Sequence, residues 1–150
     1  MNIPAQIRAG DTIKWRDDAG VDNLGIAISS SDYTLTYYLR TNTASEGATV
    51  VGTAYGPGWE FTIASGTSTA FDAGQWFFQA VATKTGSTVT LGAGQLQVLA
   101  ALTYTGAPGA VDGRSQVQQD LAAVQAAIRA IVSGETLQDS TTANLIFRID

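Results

Sequence analysis

The chain has 150 residues, 45% of them apolar, which suits a single core, while the charged fraction of 14% is low against the ~25% usual for soluble domains. It contains no cysteine and no histidine, which removes disulfides, thiolate nucleophiles, Cys/His zinc sites and Ser-His-Asp triads. The net charge is −5, and the eight basic residues (Arg8, Lys14, Arg16, Arg40, Lys84, Arg114, Arg129, Arg148) are scattered, so the clustered cations that neutralise phosphates are missing and specific nucleic-acid binding is not expected.

Ile3 to Ile7 is a short apolar entry, and Gly10-Asp11 turns the chain into Thr12 to Arg16, whose polar/apolar alternation fits a half-buried strand. Asp17 to Gly25, rich in Asp, Gly and Asn, reads as a loop. Tyr33 to Leu39 alternates again, with Tyr33, Leu35, Tyr37 and Leu39 on one face. Thr49 to Tyr55 and Trp59 to Ile63 flank Gly56-Pro57-Gly58, a turn signal that predicts a hairpin. Gln75 to Thr83 follows as a long strand with Trp76, Phe78, Ala80 and Ala82 on one face. Lys84 to Ser87 turns into Thr88 to Leu91, and Gly92 to Gly94 is expected to break the chain before Gln95 to Leu99. Short strands with regular turns point to a mainly β fold, an antiparallel Ig-like β-sandwich followed by one C-terminal α-helix.

Thr105 to Gly109 is the clearest linker, since Gly and Pro together interrupt any ladder. The expected organisation is a β-sandwich domain over residues 1–104, a Gly/Pro linker over 105–114, and a C-terminal helix with a short apolar tail over 115–150. Ser115 and Gln118 match a capping box, and Val117, Leu121, Val124, Ile128 and Ile131 recur at spacings of 4, 3, 4 and 3, one apolar stripe on a helix ending near Gly134. That stripe is expected to pack on its own sandwich. The remaining helix surface is mostly Ala and Gln where a solvated helix normally carries Lys and Glu. The candidate subunit interface is therefore Gln119, Ala123, Ala126 and Ala130, with Phe147 and Ile149 from the tail. The low charge likewise points to surfaces buried in an assembly, with a surface solvated by Ser, Thr, Asn and Gln as the plainer account.

Chemistry has few candidates. Asp17, Asp18 and Asp22 beside Asn23 offer oxygen ligands to Ca²⁺ in one loop, but the spacing matches no EF-hand pattern and loop carboxylates are commonly just solvated. Asp32 with Glu60 could form a glycosidase pair only in a geometry the sequence does not specify. Trp15, Trp59 and Trp76 could line a sugar-binding face, although core packing is the commoner fate of aromatics in alternating segments. No catalytic residue, cofactor or metal is expected. The first residues lack the basic-then-apolar pattern of a secretory leader, and no uncharged apolar run approaches the ~20 residues that cross a bilayer, so cytoplasmic synthesis without membrane insertion is expected.

Ile3-Pro4-Ala5-Gln6-Ile7-Arg8-Ala9-Gly10-Asp11-Thr12-Ile13-Lys14-Trp15, then Tyr33 to Tyr37, Ala70-Phe71-Asp72-Ala73-Gly74-Gln75-Trp76, Gly94 to Leu99 and Asp112-Gly113-Arg114-Ser115 occur in an order that resembles a family of small proteins encoded among the head and head–tail genes of tailed phages and prophages. The motifs span most of the chain, each short. Members of that family often continue past the helix into a further helical tail, which the residues up to Asp150 do not match. The resemblance implies a non-enzymatic virion structural protein near the capsid or neck. Its partners would be copies of itself in a ring or lattice, or capsid, portal or tail subunits. The expected placement is a ring subunit of the head–tail connector (neck); capsid decoration and fibre attachment are the alternative placements, and a carbohydrate-binding sandwich is the alternative of another class.

Overall fold

A computed structural model describes residues 1–110, 113–114 and 116–132. The chain divides into two units, Met1–Thr103 and Tyr104–Asp150. Among the described residues it is mainly β, with several sheets and a single C-terminal helix. The strands are β1 (Gln6–Arg8), β2 (Ile13–Asp17), β3 (Gly20–Val21), β4 (Ala27–Ile28), β5 (Thr34–Arg40), β6 (Gly47–Val51), β7 (Thr53–Tyr55), β8 (Gly58–Ile63), β9 (Gly74–Lys84) and β10 (Ser87–Leu99). A helical turn, α1 (Ser65–Ser68), follows β8, and α2 (Gln116–Val132) lies in the second unit.

Strand alternation builds the core. In β2, Ile13, Trp15 and Asp17 are buried while Lys14 and Arg16 are exposed. Tyr33, Leu35, Tyr37 and Leu39 are all buried around β5, as the two-residue period requires. Five strands form one sheet in the order β1-β10-β9-β5-β6, and three form another in the order β2-β8-β7. Trp15 of β2 stacks on Phe61 of β8 at 4.9 Å, and Tyr37 of β5 meets both rings edge-on at 5.2 and 4.9 Å. These rings join the two sheets across one core. Each such pair contributes about 0.5–1.5 kcal/mol beyond its buried area.

The Gly56-Pro57 turn closes the expected hairpin, with Tyr55 opposite Gly58 and Gly56 at a φ of 56°. Residues 49–55, expected as one strand, divide at Gly52. Its N–H still donates to Leu35 O at 2.8 Å, and the next residues pair with β8 in the other sheet. A Cβ on Gly52 would lie 2.8 Å from the Phe61 ring, so only glycine lets the chain cross there.

The expected break at Gly92 to Gly94 does not occur, because β10 runs unbroken from Ser87 to Leu99. Its register against β9 shifts between Thr90 and Gly92. This bulge reverses parity: Val89 pairs with buried Ala82 before it, and Leu96 with buried Trp76 after it. Gly94 stands opposite Phe78, whose ring occupies the space a Cβ would fill, 2.9 Å away.

The all-antiparallel expectation also needs correction. β1 lies parallel to β10, with Gln6 opposite Gln97 and Arg8 opposite Leu99. The pairing joins opposite ends of the unit, so no local turn announces it. The stretch expected as a loop contains β3, which pairs with β4 just beyond it. Asp22 holds their connection, its Oδ1 accepting from Leu24 N and Ile26 N, both at 2.8 Å.

Candidate functional site

Helix α2 spans Gln116–Val132, within the expected range. Ser115, the expected cap, and Gly134, the expected stop, lie outside the described residues, as do Phe147 and Ile149 of the candidate interface. The 4-3-4-3 stripe occupies one helical face, yet it is not buried: Val117, Leu121, Val124, Ile128 and Ile131 are each between 54% and 75% exposed. Periodicity fixes which residues share a face and says nothing about whether another surface covers it. Of the other interface candidates, Gln119 and Ala130 are half-buried, and Ala123 and Ala126 are exposed. Gln119 Nε2 donates to Arg114 O at 3.2 Å, which draws that side chain back along its own segment.

The acidic loop does not gather as a calcium site would. Asp17 turns into the core beside Ile13 and Trp15, where its carboxylate accepts from the Tyr37 hydroxyl and from the backbone N–H of Asn2. Burial, and then the hydrogen bond to Asp17, push the Tyr37 phenol well above its usual range. The indole Nε1 of Trp15 lies toward that hydroxyl without reaching hydrogen-bond geometry. It is the buried side-chain polar atom left without a partner among the described residues. Asp22 is committed to its own turn, and Asp18 is exposed. Among the described residues, no group of three or more His, Cys, Asp or Glu side chains is placed to hold a metal ion.

The tryptophans and the carboxylate pair are likewise occupied structurally. Trp15, Trp59 and Trp76 are all buried, so none forms an exposed platform. Trp59 Nε1 donates to Tyr33 O at 3.2 Å and Trp76 Nε1 to Asp72 O at 2.9 Å. Glu60 is paired to Arg16, whose Nε and Nη2 both approach Glu60 Oε2 at 2.7 Å, and the guanidinium lies 3.8 Å over the Tyr55 ring. Asp32 sits in the turn before β5, accepting from Ser31 Oγ at 3.3 Å.

One site was not anticipated. A groove of about 1180 Å³ lies where residues 41–46, between β5 and β6, border the strands of the larger sheet. Arg40 faces Phe77, which faces Gln95, and in the next row Tyr38 faces Gln79, which faces Ala93. Tyr38, Arg40, Gln79 and Gln95 are exposed and Phe77 is half-buried. Glu46 anchors the neighbouring loop, its Oε2 accepting from Thr41 Oγ1 at 2.8 Å and its Oε1 from Asp72 N at 3.1 Å.

No family model matches the chain, and no curated protein matches it. Among the described residues, no helix is long and apolar enough to cross a membrane.

Proposed function

We propose that this chain is a non-enzymatic virion structural protein, a subunit of a head–tail connector (neck) ring in a tailed bacteriophage, with its β-rich unit in an Ig-like sandwich arrangement. The observation that carries the proposal is the exposed apolar stripe of α2. An apolar side chain is worth about 1.5–3 kcal/mol when fully buried, so five half-exposed ones leave several kcal/mol for a contact with another subunit. The low charge of the chain, the Ala/Gln-rich remainder of the helix, on which Asp120 and Arg129 are the charged residues, and the resemblance over Ile3 to Trp15 and Ala70 to Trp76 support the same reading. In such a ring the β-rich unit forms the body and α2 docks on neighbouring copies or on the portal, capsid or tail subunits. The scattered cations suit a channel wall that lets DNA slide without gripping it.

The same stripe would serve a capsid-decorating or fibre-attaching subunit, and location separates these placements. Particles released by the host that encodes the chain should be purified, their protein content quantified by mass spectrometry, and their necks imaged by cryo-EM. The expected result is a fixed multiple-copy number with density at the neck. Density on the capsid surface would move the chain to decoration, and absence from purified particles would refute a virion role.

A further inference from the structure

We propose that the groove beside residues 41–46 binds a saccharide bearing a carboxylate, an activity independent of where the chain sits in a particle. The site is assembled by register. Neighbours across strands on one face stand about 4.5–5.5 Å apart, so Arg40, Phe77 and Gln95 form one row and Tyr38, Gln79 and Ala93 the next. This places two aromatic rings, a guanidinium and two amides on one surface, with Ala93 leaving room at one end.

The hydrogen bonds show what these groups have left to offer. Gln95 Oε1 accepts from Gln75 Nε2 at 2.6 Å, which leaves the Gln95 amide N–H groups as donors. Gln79 Nε2 donates to Thr90 Oγ1 at 3.0 Å, which leaves the Gln79 oxygen as an acceptor. A sugar hydroxyl both donates and accepts, and this pair serves it on both counts. The C–H faces of a sugar ring suit the Tyr38 and Phe77 rings. Glu46 has both oxygens committed to Thr41 and Asp72, whereas Arg40 forms no ion pair among the described residues. Its guanidinium is matched by a ligand carboxylate, in the two-point geometry arginine favours. A neutral sugar would leave that charge unmatched, and a small inorganic anion would leave both rings unused. The loop wall is fixed by Thr43 N donating to Thr41 Oγ1 at 3.0 Å, and Ser45 holds a φ of 66°, the one positive φ among the described non-glycine residues.

The test titrates isotope-labelled protein with a glucuronate-containing tetrasaccharide, followed by amide NMR shifts and calorimetry. The same tetrasaccharide with its carboxyl groups reduced, and acetate alone, serve as comparisons. The expected result is saturable binding of the acidic sugar with shifts confined to residues 38–49, 77–79 and 93–95. Binding should weaken at least tenfold on carboxyl reduction and at least tenfold in Arg40→Gln, with acetate causing no saturable shifts. Tyr38→Ala should weaken binding by a similar factor, and unchanged melting temperatures in both variants show that the fold is intact. Absence of saturable binding, equal binding of the reduced sugar, or insensitivity to Arg40→Gln would each overturn the proposal.

Discussion

The Tyr37 hydroxyl donates to the Asp17 carboxylate inside the core, a side-chain bond that ties the five-stranded sheet to the three-stranded one. Apolar contact is non-directional and does not by itself single out one relative position of the two sheets. A buried carboxylate whose donors come from Tyr37 and from Asn2 N–H fixes one relative position, because any slip strands a charge away from water. Tyr37→Phe keeps the ring packing against Trp15 and Phe61 and removes one donor. The expected loss is ~1–3 kcal/mol of unfolding free energy, read from the urea midpoint at constant slope. An unchanged midpoint would show that the bond contributes nothing net.

Tyr37 also sets a pH dependence whose sign follows from its upward shift. The folded chain holds the phenolic proton at pH values where the unfolded chain, with a tyrosine pKa of about 10, has released it. Stability from this group is therefore complete below about pH 10 and falls as pH rises toward the folded value, by at most about 1.4 kcal/mol per pH unit. Other tyrosines add their own slopes, so the measurement is the difference between wild type and Tyr37→Phe. The two denaturation curves should converge as pH climbs above 10, and parallel curves would rule the effect out.

Gly58 begins β8 against the end of β2, where a Cβ would meet the Asp17 carbonyl oxygen at 2.2 Å and the Asp18 Cα at 3.0 Å. Backbone cannot yield as a flexible side chain can. Gly58→Ala should cost at least ~1–3 kcal/mol, the range typical of overpacking. Gly66, where a Cβ meets nothing within 4 Å, provides the control, and Gly66→Ala should stay within ~0.5 kcal/mol of wild type. Thermal melts of both variants side by side decide it: comparable melting temperatures would contradict the close approach at Gly58.

The helix prediction concerns assembly. Because Leu121 is exposed, Leu121→Ala should change the melting of the isolated chain by no more than ~0.5 kcal/mol. Leu121→Glu should leave the chain soluble and folded yet exclude it from particles, since it places an unpaired charge in a packed contact. Ala126→Glu probes the Ala/Gln face in the same way, with the same loss expected. Copy number per purified particle is the readout. Wild-type incorporation of Leu121→Glu would remove the stripe from any subunit contact, and wild-type incorporation of Ala126→Glu would confine that contact to the stripe.

Much of the β architecture was legible wherever alternation ran without interruption. The Tyr33 to Leu39 face, the turn at Gly56-Pro57 and the helical period after the linker all follow from spacing alone. Legibility failed where the period itself was altered. The bulge between Thr90 and Gly92 moves the inward set from odd to even residues, so β10 looked like two fragments with glycines between them. Gly52 was hidden because a strand that changes sheets keeps its β pattern. Asp17 opens a stretch whose composition reads as a loop, yet it shares parity with Ile13 and Trp15, and that parity is the signal that places it in the strand. The groove could not be foreseen, because Tyr38 and Arg40 meet Phe77, Gln79 and Gln95 only once strand register is fixed, and side-chain identity does not report register.

The passage of β6 into β7 through Gly52 gives both sheets a common margin made from one stretch of backbone. Gly47 to Val51 closes the larger sheet, and Thr53 to Tyr55 closes the smaller. Solvent exchange at this margin is consequently a joint event: freeing the amides that β6 pairs with β5 loosens the start of β7, and peeling β7 from β8 pulls on β6. Hydrogen exchange should therefore report one shared opening on this side, although no hydrogen-bonded ladder runs from one sheet into the other.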